Sequence, residues 1–338
     1  MCKILKNFIF SRAPTRICDI GGWTDTWFYP KGAVFNFSVD LYSYVRISKN
    51  ETKIIKIKSE NLEINTEISD LNHIEYDGTL DLLKAAIKRL NVNKGLDIYV
   101  RADSPPACGI GTSASVSVAL IAALARLLKK PFDNMEIADL AHKLEIEELK
   151  LESGVQDQYA AAFGGINFME INYPQVNLSR IKVNREKICQ LENQMILIYF
   201  SSRSSNLMHK AVIDNYKRGE KNTVESFELM ERCAYDMKKA IESNNLKDIG
   251  AVMNENWNAQ KKLHPSMTNP LINKAERIAR EYGAIGFKLN GAGGGGSATI
   301  LADFGCEYII EKKLVENDFQ LLPFRLNFNG VETWEENI

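Results

Sequence analysis

The sequence predicts an α+β fold in two domains, and three observations point to it. At 338 residues the chain is longer than one average domain and shorter than three. Strand-like runs dominate its first half and helical runs its second. The two kinds of segment interleave without a regular βαβ rhythm, which separates α+β from a doubly wound sheet. The change of character near Tyr173–Lys182 divides the chain into residues 1–175 and 176–338.

Each element has a local reason. Asn7–Ala13 and Ala33–Ser48 carry β-branched and aromatic residues in an extended pattern, and Lys53–Lys58 and Leu62–Ile68 flank a polar turn as a hairpin would. Thr79–Leu90 has helical periodicity, and Gly95–Ala102 alternates, with Leu96, Ile98 and Val100 on one face. Ser104–Ser115 is a loop of small residues running into an Ala- and Leu-rich helix, Val116–Leu128. Asn134–Leu149 is amphipathic, with Asp133 or Asn134 placed to cap it. Strands follow at Gly165–Ile171 and Gln194–Phe200, then helices at Asn206–Lys217, Val224–Glu242, Leu246–Leu263 and Pro270–Tyr282. Between two apolar stretches, Ala284–Leu289 and Ala298–Ala302, lies a last Gly-rich segment, Gly291–Gly296.

Composition excludes several classes of function. The chain is 45% apolar and 25% charged with a net charge of −1, so it lacks the basic surplus with which proteins neutralise nucleic-acid phosphates. Six cysteines are scattered without a CxxC pair, which disfavours zinc and suits reduced thiols in a cytoplasm. The N-terminal apolar run is too short for a signal peptide, and no stretch reaches the roughly 18 apolar residues of a membrane span. A soluble cytoplasmic protein, monomer or homodimer, is the expectation.

Three clusters carry the chemistry. In Pro105–Ser115, Gly109 and Gly111 can take positive φ and let the backbone approach a ligand. The free N–H groups of the following helix favour an anion such as a polyphosphate, with Thr112 and Ser113 adding hydroxyls for phosphate or magnesium. No Gly-Lys-Ser/Thr occurs, so this is not a Walker loop, and a second helix stands where a dinucleotide fold needs a strand with an acidic end. Arg12–Asp25 gathers two arginines, a Gly-Gly turn, Trp23, Thr24 and Asp25, as a sugar site would, or as a turn with a core Trp and a capping Asp would. Ser153–Gly165 sets Asp157 at a helix start, with Glu145 twelve residues earlier as a second carboxylate of the kind magnesium takes. The glycines of Asn290–Ser297 require that a ligand or another loop come close to the main chain.

Taken in order, these segments resemble the galactokinase, homoserine kinase, mevalonate kinase and phosphomevalonate kinase (GHMP) superfamily. The matching motifs are Arg12–Asp25, Pro105 with Gly109-Ile110-Gly111-Thr112-Ser113-Ala114, and Gly291–Ser297. The resemblance implies an N-terminal ribosomal-protein-S5-like domain and a C-terminal ferredoxin-like domain, with ATP and Mg2+ as cofactors. It implies Asp157 as the catalytic aspartate and Arg16 as its partner. Ser113 and Glu145 would be magnesium ligands, and Pro105 and Gly109 through Ala114 would wrap ATP. Gly22, Trp23, Thr24, Asp25, Gly293 and Gly294 would surround a sugar or sugar-phosphate substrate.

Within the superfamily the chain looks most like kinases of D-glycero-D-manno-heptose 7-phosphate that act at the anomeric oxygen. The similarity lies in Gln156–Phe168, Tyr199–Ser205, Met267–Pro270 and Gly286–Gly296. Gly21-Gly22-Trp23-Thr24-Asp25 instead looks like fucokinases, and Thr112 stands where serine is commoner. A free sugar such as fucose or galactose, a mevalonate-type alcohol, and a non-catalytic ATP- and sugar-binding regulator stay open as alternatives. Arg203 and Arg12 are candidates for meeting a phosphate already on the substrate, since guanidinium suits phosphate.

Overall fold

The computed structural model describes residues 6–201, 206–243 and 245–338; Arg203 and Cys2 lie outside them. The first half runs β1 (Asn7–Ile20), β2 (Lys31–Lys49), β3 (Ile55–Ser59), β4 (Ile64–Ile68), α1 (Asp81–Arg89), β5 (Leu96–Ala102), α2 (Thr112–Leu128), α3 (Asn134–Lys143), α4 (Gln156–Phe163), β6 (Ile166–Asn172) and β7 (Gln175–Arg180). The second runs α5 (Arg185–Gln194), β8 (Met195–Ser201), α6 (Asn206–Lys217), α7 (Lys221–Glu242), α8 (Leu246–Leu263), α9 (Pro270–Glu281), β9 (Ala284–Leu289), β10 (Gly296–Ala302), α10 (Glu307–Val315), β11 (Gln320–Leu321) and β12 (Glu332–Asn337).

Among the described residues two sheets form. The order β12-β1-β2-β5-β3-β4, with β6 and β7 hung on β2, makes the larger, and β11-β8-β10-β9 the smaller. Both are antiparallel except where β3 runs beside β5, so the α+β architecture is the one expected. Alternation explains the strand faces: Ile55 and Ile57 are buried while Lys56 and Lys58 are exposed. One core packs β2, β3 and β5 against α1 to α4. A second joins Phe35 and Phe37 of β2 to Ala234 and Met237 of α7, and so ties the two halves together. Helix α2 is buried almost all round, which is why it reads as Ala- and Leu-rich without a polar face.

Three expectations change. Strand β1 continues to Ile20, well past Ala13, so Arg16 and Asp19 belong to it. Helix α2 begins at Thr112 and not Val116, because Gly111 at φ +77° turns the chain into the helix. The helix expected over 134–149 ends at Lys143 and widens into a π-turn over Leu144–Glu148, where Leu149 N–H reaches Leu144 C=O. The Tyr173–Lys182 stretch contains β7, a hairpin partner of β6, and β12 returns to pair with β1.

Candidate active site

Helices α3, α5, α7, α8 and α9 are each capped by a side chain, from Asp133, Asn184, Glu220, Asn245 and Asn269. Helix α2 has no such cap and no acid in its first turn. Its first N–H groups, beside the exposed Ser113, are thus left for an anion. The loop before it is fixed from below. Arg16 N–H donates to Ile110 C=O at 2.9 Å, and the Arg16 guanidinium donates through Nη1 to Gly109 C=O. Ile110 is buried in the inter-domain core, and Ala114 and Ser115 face inward, with Ser115 Oγ on Ala13 C=O at 2.7 Å. Thr112 Oγ1 lies 2.8 Å from Ser104 Oγ, and Pro105 is half-buried in the same loop.

The two Gly-rich loops answer each other. A Cβ on Gly296 would come within 2.6 Å of Cys108 C=O, and one on Gly109 within 3.0 Å of Asn290 C=O. The close approach that the glycines of 290–297 require is therefore to the 105–111 loop. Gly293 and Gly294 press instead on Met267 and Ser266, and Gly294 N–H donates to Met267 C=O at 2.9 Å.

Asp157, in the first turn of α4, meets this arrangement from the far side. Its Oδ1 accepts from Arg16 Nε at 2.8 Å, and a Cβ on Gly111 would stand 3.1 Å from its Cγ. The carboxylate is 28% exposed and, among the described residues, its Oδ2 accepts no hydrogen bond. Arg16 itself is enclosed. Burial opposes its charge, but Asp157 and then Asp19 outweigh burial and hold it firmly protonated.

Glu145 sits on the π-turn, buried, with Ser153 Oγ and Gln158 Nε2 donating to its Oε2. Burial first, and Asp157 beside it, push its pKa up to about 7. A buried carboxylate in the field of another carboxylate, with no cation paired to it among the described residues, has the chemistry of a ligand for a hard cation. Ser113 offers an exposed hydroxyl at the open helix end, and hydroxyl and carboxylate oxygens are both donors of the kind magnesium takes. No group of three or more His, Cys, Asp or Glu gathers as a metal cluster among the described residues.

The Gly21–Asp25 turn is more enclosed than a binding loop. Thr24 is fully buried, its hydroxyl within reach of the carbonyls of Gly21 (2.7 Å) and Ala33 (3.0 Å). Asp25 caps α4 from outside: its Oδ2 accepts from Gln156 N–H at 3.0 Å, and burial, then Asp157, raise its pKa to about 6. Gly22 lies against Asp19. Trp23 is 9% exposed, edge-on to Phe227 and His209. Two features mark it out: its φ is +79°, strained for so large a side chain, and its buried Nε1 has no hydrogen-bond partner among the described residues. Arg12 is paired with Glu332 at 2.7 Å and lies over the face of Tyr42.

Sequence reasoning missed Asp19, Lys288, Asn256, Gln260 and Asn290, all buried, around Arg16, the Gly21 turn or the second Gly-rich loop. Asn256 takes Gly21 N–H and Asn290 takes Cys18 N–H, each at 2.8 Å. The available signal was polarity inside apolar runs: Lys288 between Phe287 and Leu289, and Asp19 between Cys18 and Ile20.

The GHMP kinase N-terminal domain matches residues 78–165 and the GHMP kinase C-terminal domain residues 237–315. A Campylobacter jejuni D-glycero-alpha-D-manno-heptose 7-phosphate kinase is 28% identical over 334 residues, covering 96% of this chain and 98% of its own length. The bifunctional fucokinase/GDP-fucose pyrophosphorylase of Arabidopsis thaliana is 27% identical over 311 residues, covering 86% of this chain and 29% of its own. The crystal structure of a D-glycero-D-manno-heptose 1-phosphate kinase from Bacteroides thetaiotaomicron superposes with a TM-score of 0.80 at 24% identity, covering 96% and 98% of the two chains, which concerns the fold.

Proposed function

We propose that this chain, which carries the GHMP kinase N- and C-terminal domains and is a phosphotransferase with an alcohol acceptor, moves the γ-phosphoryl group of ATP onto a sugar hydroxyl. The acceptor we favour is D-glycero-D-manno-heptose 7-phosphate or a related sugar, phosphorylated at the anomeric oxygen. The observation that carries the reaction type is the Arg16–Asp157 pair facing the uncapped start of α2. Helix α2 and the 105–111 loop receive the phosphates. Asp157 Oδ2 accepts the proton of the attacking hydroxyl, and Arg16 holds Asp157 in place while balancing its charge. Positioning and charge stabilisation of this kind supply most of the catalysis in phosphoryl transfer.

Glu145 and Ser113 would hold Mg2+, which supplies positive charge to the phosphates. Because Glu145 must lose its proton to bind the ion, Mg2+ affinity is expected to rise about fivefold from pH 6 to pH 7 and to level off above pH 8. Titration calorimetry on the wild type and on Glu145→Gln checks this; the variant should bind weakly at every pH. In the metal-free protein the sign reverses. A carboxyl whose folded pKa is raised stabilises fully below its ordinary value of 4.5, and that contribution is lost as pH rises through about 7. Buried His142, lowered by burial to about 4, changes in the opposite sense and is complete above pH 6.5. Between pH 6.5 and 7.5 the metal-free wild type should therefore lose roughly 0.5–1 kcal/mol that Glu145→Gln does not lose, read by urea unfolding.

Identity over nearly the whole length of the heptose 7-phosphate kinase supports the heptose. Trp23 favours a second reading, a free sugar of the fucose or galactose kind, because its unpartnered Nε1–H is a donor that an unphosphorylated sugar's hydroxyl would satisfy. ADP release measured across heptose 7-phosphate, mannose, fucose, galactose and mevalonate separates them. Turnover on the phosphorylated heptose alone is the expected result; turnover on a free sugar transfers the assignment to the second reading. The need for ATP favours a cytoplasmic site of action; among the described residues no helix is long and apolar enough to cross a membrane.

A further inference from the structure

Beneath Arg16 lies a second ion pair that the reaction scheme above does not use. Asp19 and Lys288 are each almost fully enclosed, 3.7 Å apart, on β1 and β9 respectively. Asp19 Oδ1 is also 3.7 Å from Arg16 Nη1. On a regular strand residues three apart point to opposite faces, so Arg16 and Asp19 should not meet. They meet because β1 slips register between Ile17 and Ile20, with Cys18 at φ +52°. The irregularity is thus what turns Asp19 toward the arginine.

The pair also closes a ring around the second Gly-rich loop. Gly291 N–H donates to Asp19 Oδ1 at 2.9 Å, and Gly291 C=O accepts from Gln260 Nε2 at 2.9 Å. Gln260 Oε1 in turn accepts from Lys288 Nζ at 2.9 Å, and Lys288 returns to Asp19. Charges alternate along the path Asp157, Arg16, Asp19, Lys288, which crosses from the larger sheet to the smaller. Enclosing two such ions costs several kcal/mol before their attraction is counted, and an apolar pair of like volume would often be as stable. Burial by itself lowers Lys288's affinity for its proton, and Asp19 is the first of the groups that oppose this.

Resting on the kinase reading above, we propose that Asp19 and Lys288 are positioning residues for phosphoryl transfer, fixing Arg16 against Asp157 and seating the 291–296 loop without touching the substrate. The test compares Asp19→Asn, Lys288→Met and the double variant, which leaves the enclosed site electrically balanced. Each single variant should lose stability, and Asp19→Asn should lower kcat about tenfold to a hundredfold with little change in KM for ATP. The double variant should regain stability in urea unfolding but keep the low kcat, because Arg16 still lacks its second carboxylate. If the double variant recovers kcat together with stability, or Asp19→Asn keeps full kcat, the pair is only structural and the proposal falls. A readout that needs no acceptor runs alongside: proton exchange at Arg16 Nε–H, followed by NMR, should quicken in the double variant. A wild type inactive on every acceptor would defeat the kinase reading by itself, and unchanged exchange in the double variant would defeat the positioning claim by itself.

Discussion

Replacing Asp157 by Asn is expected to lower kcat by roughly 10² to 10⁴, the range of a positioned general base, while ATP binding is retained. The expectation follows from how the two carboxylate oxygens are used. Oδ1 is taken by Arg16 Nε, and Oδ2 alone is left to accept the proton of the attacking hydroxyl. Asparagine preserves the shape and the oxygen facing Arg16 but puts an NH2 group, a donor, where the acceptor stood. Stability should barely change, because Arg16 keeps Asp19 and Gly109 C=O. Steady-state kinetics with calorimetric ATP binding checks it. A near-normal kcat would remove Asp157 from the role of base.

Arg16→Lys has a different expected signature. Arg16 spans Asp157 with Nε and Gly109 C=O with Nη1, and it lies 3.7 Å from Asp19. An ammonium keeps the charge but cannot hold three partners in fixed directions. We expect kcat to fall roughly a hundredfold, as when a preorganised charge contact is lost. Unlike Asp157→Asn, it should also cost about 1–3 kcal/mol of stability, since buried partners lose their donor. Chemical denaturation of the two variants side by side tests that contrast, and equal stability would mean that Arg16 does not anchor the loop.

Much of this was legible in the sequence, and the failures have causes. The 105–115 loop, the helix behind it and the second Gly-rich loop announced themselves because glycine and alanine there answer backbone demands that local sequence records. The start of α2 was misplaced by four residues because Thr112 and Ser113 look like loop when the turning residue, Gly111, is not known to be left-handed. Helix α5 and strand β12 escaped notice for want of apolar periodicity. Only Lys187, Leu191 and Gln194 of α5 are buried, and β12 reads Glu-Thr-Trp-Glu-Glu-Asn and gains its place by pairing with β1 across the whole chain. Arg16 and Asp157 stand 141 residues apart, so only resemblance joined them beforehand. The Asp19–Lys288 pair needed the irregularity in β1, which no spacing rule anticipates. Thr24 and Asp25 read equally as part of a sugar site or as a turn with a capping acid; burial shows their side chains holding a turn and capping a helix, which composition alone does not decide.

The measurement that tests the central claim most directly follows the label of γ-32P-ATP in a single turnover with Mg2+ and the acceptor sugar. The account predicts that label appears on the sugar at the rate at which ADP forms, and that Asp157→Asn slows both together. Label that stays on bound ATP, or that leaves only as inorganic phosphate, would contradict it.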